Sequence, residues 1–312
     1  MRRDFRYRDL FASGELRKRV ELAYGLLRRC ILCPHQCGVN RLNGERGVCK
    51  SGADLIIASH NLHHGEEPPI SGERGSGTIF FSNCTGKCLF CQNYPISQLG
   101  VGNQVTVEGL ARMMLSLQRK GCHNINLVTP THFVPQILSA LEIAIPQGLG
   151  VPLLYNTSGY DSLVTLELLD GVIDIYLPDA KYADDKIALR LSGFPRYVES
   201  NHIALKEMHR QVGDLQVDKA GLAARGMIVR HMVLPQGLAG TAQVMRFIAR
   251  EISPNTYVSL MDQYFPAHRA VGHPQLGRKT TPQEYDQALQ AFQEAGLVNG
   301  WMQVQEYSCA PV

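Results

Sequence analysis

The sequence predicts an α/β fold, a parallel sheet with helices outside it, preceded by a cysteine-rich module. Three observations predict this. From Thr78 onward, short apolar β-type runs alternate with apolar stripes at helical spacing, the pattern of repeated βα units. Each run leads into polar side chains, as the carboxyl ends of barrel strands do. Ahead of them, four cysteines crowd between Cys30 and Cys49, too regularly spaced for ordinary core residues.

The chain's 312 residues suit one α/β barrel with an appendage. The expected division is 1–70 for an N-terminal helix and four-cysteine module, and 71–312 for the barrel. A hydrophobic share of 45% with 19% charged residues is ordinary for a globular chain. Thirty-one basic against 28 acidic residues leave a net charge of +3, too weak to argue for nucleic acid. No apolar run approaches the ~20 residues of a membrane span, and no secretory leader is evident. Nine cysteines, seven of them in tight clusters, point to metal binding in a reducing compartment, so a cytoplasmic location is expected.

Leu16, Val20, Ala23 and Leu27 recur at helical spacing and predict one amphipathic helix over 14–29, while the arginines and acids interleaved along the first 30 residues read as a solvated helical arm. It leads into Cys30, Cys33, Cys37 and Cys49, a C-x2-C-x3-C-x11-C array. Four thiolates so spaced suit a tetrahedral zinc or a closed iron–sulfur cluster, and the spacing leaves both open. Leu55 to Ala58 reads as a short strand. The following loop carries His60, His63 and His64 beside Glu66 and Glu67, read as polar loop residues rather than ligands.

Thr78 to Phe81 is the first strand of the repeat, and CTGKCLFC follows it. Cys84, Cys88 and Cys91 form a C-x3-C-x2-C array. A cubane cluster takes four protein thiolates when closed, so three leave one iron open. A zinc knuckle with a distant fourth cysteine is the plainer alternative. Ile125–Val128, Val151–Tyr155, Ile173–Leu177, Met227–Val233 and Tyr257–Met261 complete six strands. Thr281-Pro282-Gln283-Glu284 is a capping box with proline at the first helical position, opening a late helix. Trp301 reads as part of a final edge segment. Cys122 reads as a buried small hydrophobe, and Cys309 as a tail residue.

CTGKCLFC, with QNYPIS after it, resembles the signature of the radical S-adenosylmethionine (SAM) enzymes, and from Thr78 onward the chain is similar to the branch related to pyruvate formate-lyase activating enzyme. The resemblance implies a partial (β/α)6 TIM-type barrel. It implies a [4Fe–4S] cluster on Cys84, Cys88 and Cys91, with SAM on the open iron. Reductive cleavage of SAM would give a 5′-deoxyadenosyl radical that abstracts hydrogen. A flavodoxin or ferredoxin-type reductant is implied as partner. So is a protein substrate, a backbone glycine of a glycyl radical enzyme.

It also implies roles around SAM. Phe90 would lie against the adenine. Asp179 and Lys181 match an Asp-x-Lys near the methionyl end, where Asp179 and Thr157 would hold a monovalent cation. Arg230 would pair with the SAM carboxylate, a task suited to its fixed fork of donors. Asn156 stands where the activating enzyme has aspartate, and His268 resembles a histidine at the end of the sixth strand. The turn that receives the SAM amino group is replaced by VTPTH, which transfers that task to Thr129, Thr131 or backbone carbonyls. Modification of RNA or a small metabolite by the same radical, and a non-catalytic iron–sulfur electron carrier, are the rival functions.

Overall fold

A computed structural model describes residues 5–302; Cys309 lies outside the described residues. Ten strands form one sheet: β1 (Leu55–His63), β2 (Ser76–Phe81), β3 (Asn103–Val105), β4 (Ile125–Val128), β5 (Leu153–Thr157), β6 (Ile175–Pro178), β7 (Gln216–Val217), β8 (Ala223–Met232), β9 (Tyr257–Met261) and β10 (Gly300–Met302). Seven of them, β2-β4-β5-β6-β8-β9-β10, are neighbours in that order and parallel throughout. The six expected strands are all present, and the segment around Trp301 adds a seventh at the edge. β1 pairs antiparallel with β2 at the opposite edge, and β3 with β1. Among the described residues no pairing joins β10 to β3, so the barrel is partial.

Helices α1 (Arg6–Ala12) and α2 (Glu15–Leu26) precede the sheet and α3 (Pro68–Ser71) joins β1 to β2, while α4 (Tyr94–Ser97), α5 (Val107–Arg119), α6 (Val134–Ala144), α7 (Leu163–Leu169), α8 (Asp185–Ser192), α9 (Tyr197–Val212), α10 (Thr241–Phe247) and α11 (Pro282–Glu294) lie in the connections between the parallel strands. Their starts follow local chemistry. The Thr106 hydroxyl accepts the Gly109 N–H ahead of α5, and both halves of the Thr281–Glu284 capping box form ahead of α11.

Strand alternation separates two cores. Leu153, Tyr155, Tyr176, Met227 and Val229 pack with the helices in the main one. Their neighbours Leu154, Ile175, Leu177 and Ile228 point to the other face and pack with Ile70 of α3. β1 ends with His63 opposite Ser76, the first residue of β2, so the chain enters α3 from the amino end of the parallel strands. The segment Glu66–Ser71 therefore plugs the floor of the barrel. At the carboxyl ends a third cluster gathers Phe90, Tyr160, Tyr182, Phe194, Tyr197 and Tyr264.

Two expectations need correction. The N-terminal arm is not simply solvated: Leu16 and Ala23 of the expected apolar stripe are buried in the main core, but so are Phe5 and Tyr7 ahead of it, and Arg19 donates to the carbonyls of Leu168 and Asp170. The strand from Leu55 is nine residues long rather than four, because its pairing with β2 continues to the end. His60 and His63 thus sit on a strand. Residues on both sides of position 70 share one sheet and one core.

Candidate active site and a second thiol cluster

The CTGKCLFC loop leaves β2 at the carboxyl end of the parallel strands. Asn83 turns the chain in the left-handed region (φ 71°), a conformation asparagine tolerates, and its side chain donates to Ser51 Oγ. Gly86 is required by close approach: a Cβ there would meet the Phe194 ring at 2.6 Å. Backbone bonds from Lys87 N to Ser192 O and from Leu89 N to Leu191 O, both 2.8 Å, fasten the loop to the end of α8. The Gln98 amide donates to Cys88 O at 2.8 Å. The loop is thus held on both sides before any ligand arrives.

Cys84, Cys88 and Cys91 are half-buried free thiols. Cys84 Sγ accepts the Gly86 N–H at 3.3 Å, and Cys91 Sγ lies 3.1 Å from Ser97 Oγ. Burial, then the neighbouring Cys88, pushes the Cys84 thiol up to about 12. Burial also raises Cys88, opposed by the ammonium of Lys181. A bound metal removes such protons and turns the thiols into ligands. Three thiols on one pinned loop, with backbone N–H support and a lysine facing them, fit a cluster with an open position.

The other expected residues divide. Asp179 and Lys181, just past β6, form an ion pair behind the loop. Burial alone would lower the Lys181 ammonium, but Asp179 and Cys88 outweigh it and hold it high. Phe90 is buried with its ring edge-on to Tyr264, centroids 5.7 Å apart. Asn156, half-buried near the end of β5, receives the Thr129 N–H on its carbonyl. His268 has a left-handed backbone (φ 51°) and stacks on Tyr94 at 4.6 Å. Phe90, Asp179 and Lys181 are thereby gathered around Cys88.

Three residues have partners other than those expected. The Arg230 guanidinium turns to the floor plug: its Nε and Nη2 donate to Glu67 at 2.7 Å, and Nη2 also meets Glu66. Asn126 Nδ2 donates to Glu66 as well. Arg230 is therefore paired with two carboxylates through its Nε and Nη2. Burial would raise the Glu67 carboxyl, but Arg230 beside it wins and holds it below the usual range. Thr157 donates to Asp161 Oδ2 at 2.6 Å, while Thr131 and Tyr155 donate to Asp161 Oδ1 at 2.7 and 2.9 Å. Burial raises the Asp161 carboxyl despite those three hydroxyls. The hydroxyls of Thr131 and Thr157, expected to face SAM or a cation, thus knit the loops after β4 and β5 together.

Sequence reading passed over Asp161 and left Glu66 and Glu67 as loop neighbours of the histidines. Asp161 lies four residues past Thr157, in the polar stretch Asn156-Thr157-Ser158-Gly159-Tyr160-Asp161 at the end of β5, which was a usable signal. The glutamates lie more than 160 residues before Arg230 and carry no local mark of that pairing.

Cys30, Cys33, Cys37 and Cys49 line one enclosed cavity together with Arg41 and His132. Burial, with the other three thiols adding to it, raises Cys33 well above its ordinary value. Gly47 makes room for Cys37, whose sulfur a Cβ at that position would meet at 2.6 Å. Among the described residues no three His, Cys, Asp or Glu side chains are placed to hold a single metal ion, so in both clusters the thiols are gathered but not drawn in. Nor is any described helix long and apolar enough to cross a membrane.

The chain is 30% identical over 306 residues to the uncharacterised protein MJ0674 of Methanocaldococcus jannaschii, covering 94% of this chain and 83% of that one. It belongs to the MJ0674 family. No family profile matches. Among solved structures it is similar to Streptococcus suis SuiB bound to S-adenosylmethionine, with a TM-score of 0.49 and 14% identity over 72% of this chain and 49% of SuiB. It is similar also to methylornithine synthase (PylB), with a TM-score of 0.46 and 14% identity over 72% of this chain and 63% of that one. The chain thus spans about half of SuiB.

Proposed function

We propose that the chain is a radical SAM enzyme. The observation that carries this is the CTGKCLFC loop: three thiols, no fourth cysteine in the loop, fixed at the carboxyl end of a partial parallel barrel. When bound, a [4Fe–4S] cluster and SAM supply a 5′-deoxyadenosyl radical that abstracts hydrogen from substrate. Cys84, Cys88 and Cys91 hold the cluster. Lys181, kept charged by Asp179, offsets the negative charge that thiolates bring into a buried loop. Phe90 and Tyr264 present apolar rings that shield the mouth from water.

A second proposal concerns the substrate. The resemblance to activating enzymes supports a backbone glycine of a partner protein, with a flavodoxin or ferredoxin-type donor of electrons. A monovalent cation at Asp179 belongs to the same reading, with Thr157 acting through its remaining lone pairs.

The test is anaerobic reconstitution followed by assay of iron, sulfide and reductive cleavage of SAM to 5′-deoxyadenosine and methionine. Wild-type chain is expected to bind iron and cleave SAM. Cys84→Ala, Cys88→Ala and Cys91→Ala are each expected to reduce cleavage to background. Cleavage retained in any of the three rejects the ligand assignment, and iron-loaded protein that never cleaves SAM favours the electron carrier.

A further inference from the structure

We propose that the four-cysteine cavity holds a second, thiolate-rich metal centre, with Cys30, Cys33, Cys49 and His132 of the barrel as its ligands and Arg41 balancing its charge. Three independent features converge on the one cavity these residues line.

The first is the imidazole of His132, which is 2% exposed. Its Nε2 lies 2.9 Å from the backbone carbonyl of Ser82. A carbonyl only accepts, so Nε2 carries the proton and Nδ1 presents a bare lone pair. That Nδ1 is buried and has no hydrogen-bond partner. Buried polar atoms are almost always satisfied, and an orphan in a cavity of thiols calls for an electrophile. The arrangement matches that of metal-binding histidines, in which one ring nitrogen is fixed by a carbonyl and the other is free to ligate.

The second is Arg41, 1% exposed. Its guanidinium donates to the carbonyls of Gly52 and of His132 and lies over the Phe133 ring, 5.8 Å from its centroid, an uncharged partner in each case. Among the described residues no carboxylate forms an ion pair with it. A buried charge without a counter-charge is costly, and neutral thiols do not supply one. Thiolates on a metal do, because three or four of them leave a zinc or an iron–sulfur centre with net negative charge.

The third is the set of thiols. Cys30, Cys33 and Cys49 are each 8% exposed, and Cys37 is more open. Cys37 Sγ already accepts the Val48 N–H at 3.4 Å. With His132, the three buried cysteines make a Cys3His set, a composition that closes a four-coordinate site. Cys37 is the thiol that the histidine would displace. Drawing the ligands in would tie the N-terminal module to the turn after β4, which also supplies Thr131 to Asp161. Zinc and iron–sulfur share this thiophilic chemistry, and the experiment separates them.

The inference is independent of the SAM reading, and its test removes that site first. Full-length chain carrying Cys84→Ser, Cys88→Ser and Cys91→Ser is purified anaerobically, its zinc and iron are counted, and the bound metal is examined by X-ray absorption. Metal is expected to remain, with sulfur neighbours and one nitrogen at about 2.0–2.1 Å for zinc. His132→Ala is expected to remove the nitrogen signal and weaken retention against a chelator at least ~10-fold. Cys37→Ser is expected to weaken retention less than Cys33→Ser. A metal-free protein overturns the centre itself. An all-sulfur signal in the chain that still has His132 overturns the histidine assignment, and needs no further variant to fold.

Discussion

Two buried arginines show how differently this fold treats a charge. Arg230 lies inside the barrel and meets two carboxylates from the floor plug, so its counter-charge is supplied by the chain. Arg41 lies against the four-cysteine cavity, donates to carbonyls and faces the Phe133 ring, with no carboxylate paired to it among the described residues. A permanent charge completed by the protein marks a structural tie. One left without an anion beside a set of thiols marks a place where something else completes it. The two cysteine arrays differ in the same way. The loop at Cys84–Cys91 is half-buried at the barrel mouth with Lys181 facing it, whereas three of the four N-terminal thiols, Cys30, Cys33 and Cys49, are buried.

The largest expected effect separates the arginines directly. Arg230→Met leaves Glu66 and Glu67 as a buried pair of like charges, and is expected to cost about 3–5 kcal/mol in urea unfolding. Arg41→Met is expected to cost far less in metal-stripped protein and distinctly more in metal-loaded protein. Equal losses in both states would break the comparison.

Acid should loosen the first tie in particular. Glu67 titrates lower in the folded chain than in the unfolded one, so the folded state binds fewer protons there. Its contribution is complete above the ordinary glutamate value of about 4.3 and drains as pH falls through the folded value. Glu67→Gln is expected to be less stable at neutral pH and to lack that part of the acid dependence. Parallel unfolding curves for wild type and variant between pH 3 and 6 (roughly the span around that value) would refute the assignment.

The smallest effect concerns the mouth. Lys181 opposes the burial that raises the Cys88 thiol. Lys181→Met should therefore slow alkylation of Cys88 in metal-free protein at a fixed mildly alkaline pH, leaving Cys33 unchanged. An unaltered Cys88 rate would remove the lysine from the site.

Much of this architecture was legible beforehand because periodicity is local. The strands Ile125–Val128 and Tyr257–Met261 lie where alternation of apolar runs put them, and Thr281 opens its helix as a capping box should. The cysteine loop was equally visible, since ligand spacing is written in a few consecutive residues. What escaped depends on distance in the chain. Glu66 and Glu67 looked like part of a Gly/Pro-rich loop, yet they are the anions for an arginine on β8. His132 was visible as a polar strand end, but its bearing on Cys30–Cys49 arises only once β4 and the N-terminal module are packed together. Thr157 was assigned outward to a ligand, and the neighbouring Asp161 claims its hydroxyl.

The most direct test of the central claim is electron paramagnetic resonance of the anaerobically reconstituted, reduced protein with and without SAM. A cluster held by only Cys84, Cys88 and Cys91 has an iron open to SAM, and its signal is predicted to change on addition. A reduced-cluster signal that SAM leaves unaltered would contradict the account.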